Sequence, residues 1–211
     1  MIVYTTCRAL VLATAGLAWT TSAGAQARLE VGPLVALYAP LGSFRPAAYY
    51  TTALPTTPSD LTGLALGAQG RVWIRPHLGL QLDGTVAFSR VGGGATPGGV
   101  KSTTSARVFT GTAQVLYSLT PSSGPKRLWL SAGGGLVRHG GAAYAPYQGR
   151  THLTGVFGLA STLPLRPQLS LNAGLATFLY SLAIRDSVGI RVEHGTQFDA
   201  RLQTGVTWYW R

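Results

Sequence analysis

Between residues 198 and 210 the chain alternates without a break. Phe198, Ala200, Leu202, Thr204, Val206, Trp208 and Trp210 form one set, apolar except for Thr204. Asp199, Arg201, Gln203, Gly205, Thr207 and Tyr209 form the other, polar and charged. A period of two places the sets on opposite faces of a strand. Such a strand is long for a soluble domain. It suffices to cross a bilayer at a tilt, which takes ~9–11 residues. A greasy face closing on two Trp suits hydrocarbon and its interface.

Seven earlier segments repeat the pattern. From Arg28, Leu29, Val31, Val35 and Leu37 oppose Glu30, Gly32, Leu34, Ala36 and Tyr38. Over about 62–74, Leu64, Leu66, Ala68, Val72 and Ile74 oppose Gln69 and Arg71. Over 78–90, Leu78, Leu80, Leu82, Val86 and Phe88 oppose Gln81, Asp83, Thr85 and Ser89. Over 106–119, Phe109, Ala113, Val115 and Tyr117 oppose Thr110, Thr112, Gln114 and Ser118. Segment 128–138 has the weakest pattern, because Gly133, Gly134 and Gly135 carry no side chains. Segments 151–163 and 168–183 complete the series.

Long polar connections are expected at 40–61, 91–104, 139–150 and 185–195. Short turns are expected at 75–77, 121–126 and 164–167. Eight strands with alternating long and short connections predict an all-β fold, an eight-stranded antiparallel up-and-down transmembrane β-barrel. The termini and short turns would face the periplasm and the long loops the exterior.

Composition supports this. Charged residues are only 11%, glycine numbers 28, and no stretch reaches the ~18 uninterrupted apolar residues of a spanning helix. Residues 1–25 read as a cleaved secretory signal: Arg8, an apolar run over 9–19, and an Ala23-x-Ala25 site before Gln26. The barrel domain would occupy 26–211. Cys7 lies within the signal, so cleavage would leave no disulfide, thiolate nucleophile or Cys-based metal site. Removing Arg8 from seventeen basic residues leaves sixteen against six acidic, a net charge of +10. For an exported chain, outer-membrane lipid and lipopolysaccharide phosphate are the expected polyanions, and nucleic acid is not a partner. A monomer is expected.

On these eight strands, the loop alternation and the signal, the chain resembles the small outer-membrane barrels of Gram-negative bacteria, the OmpA, OmpX and OmpW-like group. The resemblance covers the mature chain and rests on pattern, not on a residue motif. It implies insertion by the barrel-assembly machinery, which reads a terminal aromatic residue in this group. Here Trp208 and Trp210 keep the spacing, but Arg211 follows them. The lipid A deacylases among such barrels use His and Ser two residues apart on a lipid-facing strand. The nearest match is His152-Leu153-Thr154, with Thr for Ser and inward parity. His77 falls in a turn, His139 and His194 in loops, all expected to be solvated. No metal-ligand pair, phosphate-binding loop, catalytic residue or cofactor is expected.

The expected role is therefore non-catalytic, structural or surface-interacting, with a lumen filled by polar and charged side chains. The alternatives are a lipid A-modifying enzyme and a soluble lipocalin-like barrel. The latter would bury the apolar sets inside.

Three groups of residues are singled out. Glu30, Arg71, Asp83, Asp199 and Arg201 are expected as lumen charges. Arg71 should sit opposite Asp83, their numbers summing to about 154, with Glu30 at the same height. Trp208, Trp210 and Tyr117 are expected in an aromatic girdle. Trp73 and Trp129 share that height on the inward parity, marking bulges or plugging the mouth. Arg90, Lys101, Arg138, Arg150, Arg185 and Arg191 are expected in the loops as phosphate contacts, beside Tyr49, Tyr50, Tyr144 and Tyr147.

Overall fold

Alternation works in this chain because each strand separates two unlike environments. In the computed structural model, which describes residues 28–41, 62–95, 101–120, 126–185 and 191–210, eight strands form one closed antiparallel barrel. They are β1 Arg28–Pro40, β2 Gly63–Trp73, β3 Leu78–Ala95, β4 Lys101–Ser118, β5 Arg127–Gly140, β6 Thr151–Arg166, β7 Leu169–Arg185 and β8 Arg191–Trp210. Each strand pairs with its sequence neighbours, and β1 pairs with β8 to close the ring. No sheet edge is left open, which a bilayer requires.

The stagger can be followed through Cα partners. Leu29 leads in turn to Val72, Leu80, Val115, Ala132, Phe157, Thr177, Ala200 and finally Ala39. One circuit thus returns to β1 ten residues further along. That shear tilts the strands and leaves an interior just wide enough for side chains.

The apolar sets face outward. Leu37, Leu64, Leu82, Phe88, Val115, Leu136, Phe157, Leu175 and Leu202 are all exposed. Glu30, Arg71, Asp83, Asp199 and Arg201 are buried. This is the reverse of a lipocalin-like interior. Gly133 and Gly135 have a local reason: a Cβ at either would strike the β4 backbone, at Ala113 O and Gly111 O. The three-glycine run that weakened the pattern lets β4 and β5 approach.

Two expectations about connections are corrected. β3 and β4 extend into the segment 91–104 expected as a loop, pairing Val91 with Thr104 and Gly92 with Thr103. β8 begins at Arg191, inside the expected loop 185–195, and pairs back to β7. Glycine and polar residues mimic a loop in sequence, but a two-stranded ribbon above the barrel needs no apolar face. The signal segment, Cys7, Tyr49, Tyr50 and Arg211 lie outside the described residues.

Candidate functional site

The interior is built in three layers. At the end where β1 begins and β8 finishes, Trp73 and Trp129 meet edge to face with centroids 6.1 Å apart, beside buried Leu116. Trp73 Nε1 donates to Glu30 Oε1 at 3.1 Å. The Arg71 guanidinium lies 4.3 Å from the Trp129 ring centroid, and that of Arg127 lies 4.7 Å from Trp73. These inward tryptophans close the lower mouth. They mark no bulge, since their ladders are regular there.

The middle layer is a chain of charge and amide. Arg71 Nη1 donates to Glu30 Oε2 at 2.8 Å. Arg71 Nε and Nη2 both donate to Gln81 Oε1 at 3.1 Å. Gln81 Nε2 passes the connection to Asp83 Oδ2 at 3.1 Å. Thr112 Oγ1 and Gln114 Nε2 donate to that oxygen, each at 2.8 Å. Asp83 Oδ1 accepts from Arg201 Nη2 at 2.9 Å. Arg201 Nη1 also reaches Thr85 and Thr110 hydroxyls. Asn172 ties in β7, accepting from Arg71 and Thr162 and donating to Thr207. Buried charges need this many partners, because desolvation otherwise costs several kcal/mol per ion.

The expected Arg71–Asp83 pairing is not found. Ile74 N donates to Leu78 O, and the ladder sets Gln81 opposite Arg71 and Gln69 opposite Asp83. A three-residue turn centred on Pro76 makes paired numbers sum to 152, two less than expected. The expected single cluster is therefore two ion pairs, Glu30–Arg71 and Asp83–Arg201, joined by Gln81. Asp199 belongs to neither.

The upper layer holds Asp199. Tyr38 and Tyr180 both donate to Asp199 Oδ2, Tyr180 at 2.7 Å, and Gln197 Nε2 donates to Oδ1 at 2.9 Å. Tyr180 OH lies 3.4 Å from His139 Nε2. The His139 ring is 5.6 Å from that of His152 and 5.2 Å from Tyr144. Phe178, Val137, Val156, Leu182 and Ile184 pack around them. This third of the interior sets Asp199, Gln197 and two histidines among aromatic and aliphatic side chains, so polar and charged groups do not fill the lumen alone. His139 is not a solvated loop residue. It lies at the end of the ladder on β5, one residue before Gly140, facing inward and 3% exposed. Tyr144, expected as loop contact area, is buried beneath the one-turn 3-10 helix Ala142–Tyr144, and Tyr147 is half-buried against it. A small cleft here is bordered by Tyr38, Ser89, His139, Tyr180 and Asp199.

His152 and Thr154 point into the barrel, away from the face a lipid would touch. His77 is exposed in its turn, its Nδ1 3.0 Å from Ser118 O. The backbone of His194 is in β8, not a loop; its side chain lies outside the described residues. Among the described residues no group of three His, Cys, Asp or Glu is arranged for a metal ion.

On the outer wall, Trp208 is 46% and Tyr117 56% exposed, both near the strand ends beside the termini. The side chain of Trp210 lies outside the described residues. Five of the six basic residues expected in loops lie in strands: Arg90, Lys101, Arg138, Arg185 and Arg191. Arg90, Arg138 and Arg185 are exposed; the side chains of Lys101 and Arg191 lie outside the described residues. Arg150 alone is in a loop, half-buried, donating to Tyr144 O at 3.3 Å.

Gln81, Tyr38, Tyr180 and His139 are the residues this geometry adds. Inward parity was available for the first three, but the register that gives them their partners was not.

No protein-family model matches the chain, and no curated protein matches it in sequence. Solved structures do match in shape. Neisserial surface protein A aligns with a TM-score of 0.59 at 13% identity, over 86% of this chain and 97% of that one. The outer membrane protein AlkL, solved in lipid bilayers, gives 0.57 at 11% identity, over 91% and 94%. OprG from Pseudomonas aeruginosa gives 0.53 at 11%, over 88% and 96%. The fold is that of the small eight-stranded outer-membrane barrels. At these identities the likeness is one of architecture, so what this barrel does has to be argued from its own residues.

Proposed function

We propose that the protein is an integral outer-membrane barrel that conducts no solute and catalyses no reaction, and that it acts through its surfaces: the lipid-facing wall and the exterior loops. One observation carries this reading. Side chains bonded to or packed against one another occupy the interior from Trp73 and Trp129 at the lower mouth, through Glu30, Arg71, Gln81, Asp83 and Arg201, to Asp199, Tyr180 and Tyr144 at the upper. An ion entering would have to displace charge-assisted hydrogen bonds, the stronger kind. The fold and the outward apolar wall support outer-membrane placement, in keeping with the export signal expected at residues 1–25.

Purified barrel reconstituted into planar bilayers tests this. The expected record is free of unitary steps across ±100 mV. Reproducible open-channel currents from the wild type would overturn it.

A further inference from the structure

Among the described residues, the outer wall carries a concentration of charge that neither the fold nor the filled interior requires. Arg90 on β3, Arg107 on β4 and Arg138 on β5 all point outward and are exposed. The ladders make them neighbours. Phe88 is opposite Arg107, so Arg90, two residues further on, is its diagonal neighbour. Gly140 is opposite Arg107, so Arg138 is its diagonal neighbour on the other side. Diagonal neighbours across a ladder lie ~7–8 Å apart, within reach of long side chains.

The row caps the apolar wall. Next along the same strands, towards the termini, lie Phe88, Phe109 and Leu136, at 47%, 39% and 49% exposure. The Arg107 guanidinium sits 5.9 Å from the Phe88 ring centroid, resting on the greasy rim. Gly140, opposite Arg107, offers no side chain to fill the space between the arginines.

Adjacent like charges destabilise a sheet, and no carboxylate shares this face among the described residues. Glu30, Asp83 and Asp199 are buried on the inside. The basic residues towards the other rim are spread out: Arg75 in the β2–β3 turn, Lys126 before β5, Arg166 at the end of β6. Among the described side chains, three cations meet on β3–β4–β5; elsewhere on the upper rim the ladder pairs Arg185 with Arg191, whose side chain lies outside the described residues. Among the described residues nothing of opposite charge meets the row, which leaves it open to an anion from outside the chain. That anion must carry more than one negative charge, and it must lie where hydrocarbon gives way to headgroup.

We propose that Arg90, Arg107 and Arg138 form a binding site for the phosphate groups of a phosphorylated glycolipid of the outer leaflet, with Arg107 central and its acyl chains lying over Phe88, Phe109 and Leu136. Guanidinium takes phosphate bidentately, so three of them can hold two phosphates at once. The proposal rests on outer-membrane placement but not on the closed lumen.

The test uses full-length mature barrel in detergent micelles, with bound lipid counted by native mass spectrometry. The probes are bis-phosphorylated lipid A, the same lipid with both phosphates removed, and phosphatidylglycerol. Bis-phosphorylated lipid A is expected to bind tightest. Each surface cation is worth about 1 kcal/mol, so Arg107→Gln should weaken it about fivefold. Arg90→Gln with Arg107→Gln and Arg138→Gln together should abolish the preference. Arg166→Gln, at the other rim, should bind like wild type. Heat-modifiable gel migration checks that each variant is folded. Equal binding of dephosphorylated lipid A, equal binding of phosphatidylglycerol, or wild-type affinity in the folded triple variant would each overturn the site. Displacement by millimolar inorganic phosphate alone would overturn the glycolipid assignment. Failure of every lipid to bind any variant would instead count against membrane placement.

Discussion

Asp83 on β3 and Arg201 on β8 meet inside the barrel at 2.9 Å, although 118 residues separate them in sequence and their strands are not neighbours. Both side chains are fully buried. The pair bridges the lumen and couples the hairpin β2–β3 to the closing strand. The Arg201 guanidinium also lies 5.1 Å from the Phe178 ring centroid, linking the middle layer to the upper one.

Removing one member of a buried ion pair leaves an uncompensated charge, typically at a cost of ~3–5 kcal/mol. Asp83→Ala should therefore destabilise the barrel by about that amount in urea unfolding from detergent. Asp83→Ala with Arg201→Met should recover much of the loss. The cycle with Arg71→Met should show weaker coupling, because Gln81 stands between Arg71 and Asp83. Additive losses for Asp83 and Arg201 would contradict the pairing.

Asp199 presents one oxygen to two phenols. Asp199→Ala leaves Tyr38 and Tyr180 without that acceptor in a buried layer. An unsatisfied buried polar group costs ~1–3 kcal/mol, so the variant should unfold at clearly lower urea. Tyr38→Phe in the Asp199→Ala background should be less harmful than Tyr38→Phe alone. The same urea titrations read both, and an equal cost in the two backgrounds would break the link.

The tryptophans differ in what they touch. Trp208 is 46% exposed on the outer wall, whereas Trp73 is 5% and Trp129 1% exposed inside. Brominated lipid should quench the emission lost in Trp208→Phe. The emission lost in Trp73→Phe or Trp129→Phe should be quenched far less. Quenching of Trp129 equal to that of Trp208 would reverse the facing of β5.

The sequence alone determined the strand count, the facing of each strand and the closed architecture. Period-two alternation is local, and one strand such as 198–210 carries it without reference to any other. Inward parity likewise marked Glu30, Arg71, Asp83, Asp199 and Arg201 before any partner was known. Tertiary structure decided who meets whom. A register change of two residues keeps every side chain on its face, so parity could not separate Gln81 from Asp83 as the residue opposite Arg71; the turn centred on Pro76 did. The Asp83–Arg201 pair depends on barrel closure and a shear of ten, which no single hairpin encodes. His139 read as a loop residue because the end of a strand is set by pairing across the ladder. The row Arg90, Arg107 and Arg138 is scattered along the sequence from β3 to β5 and becomes one surface only when those strands lie side by side.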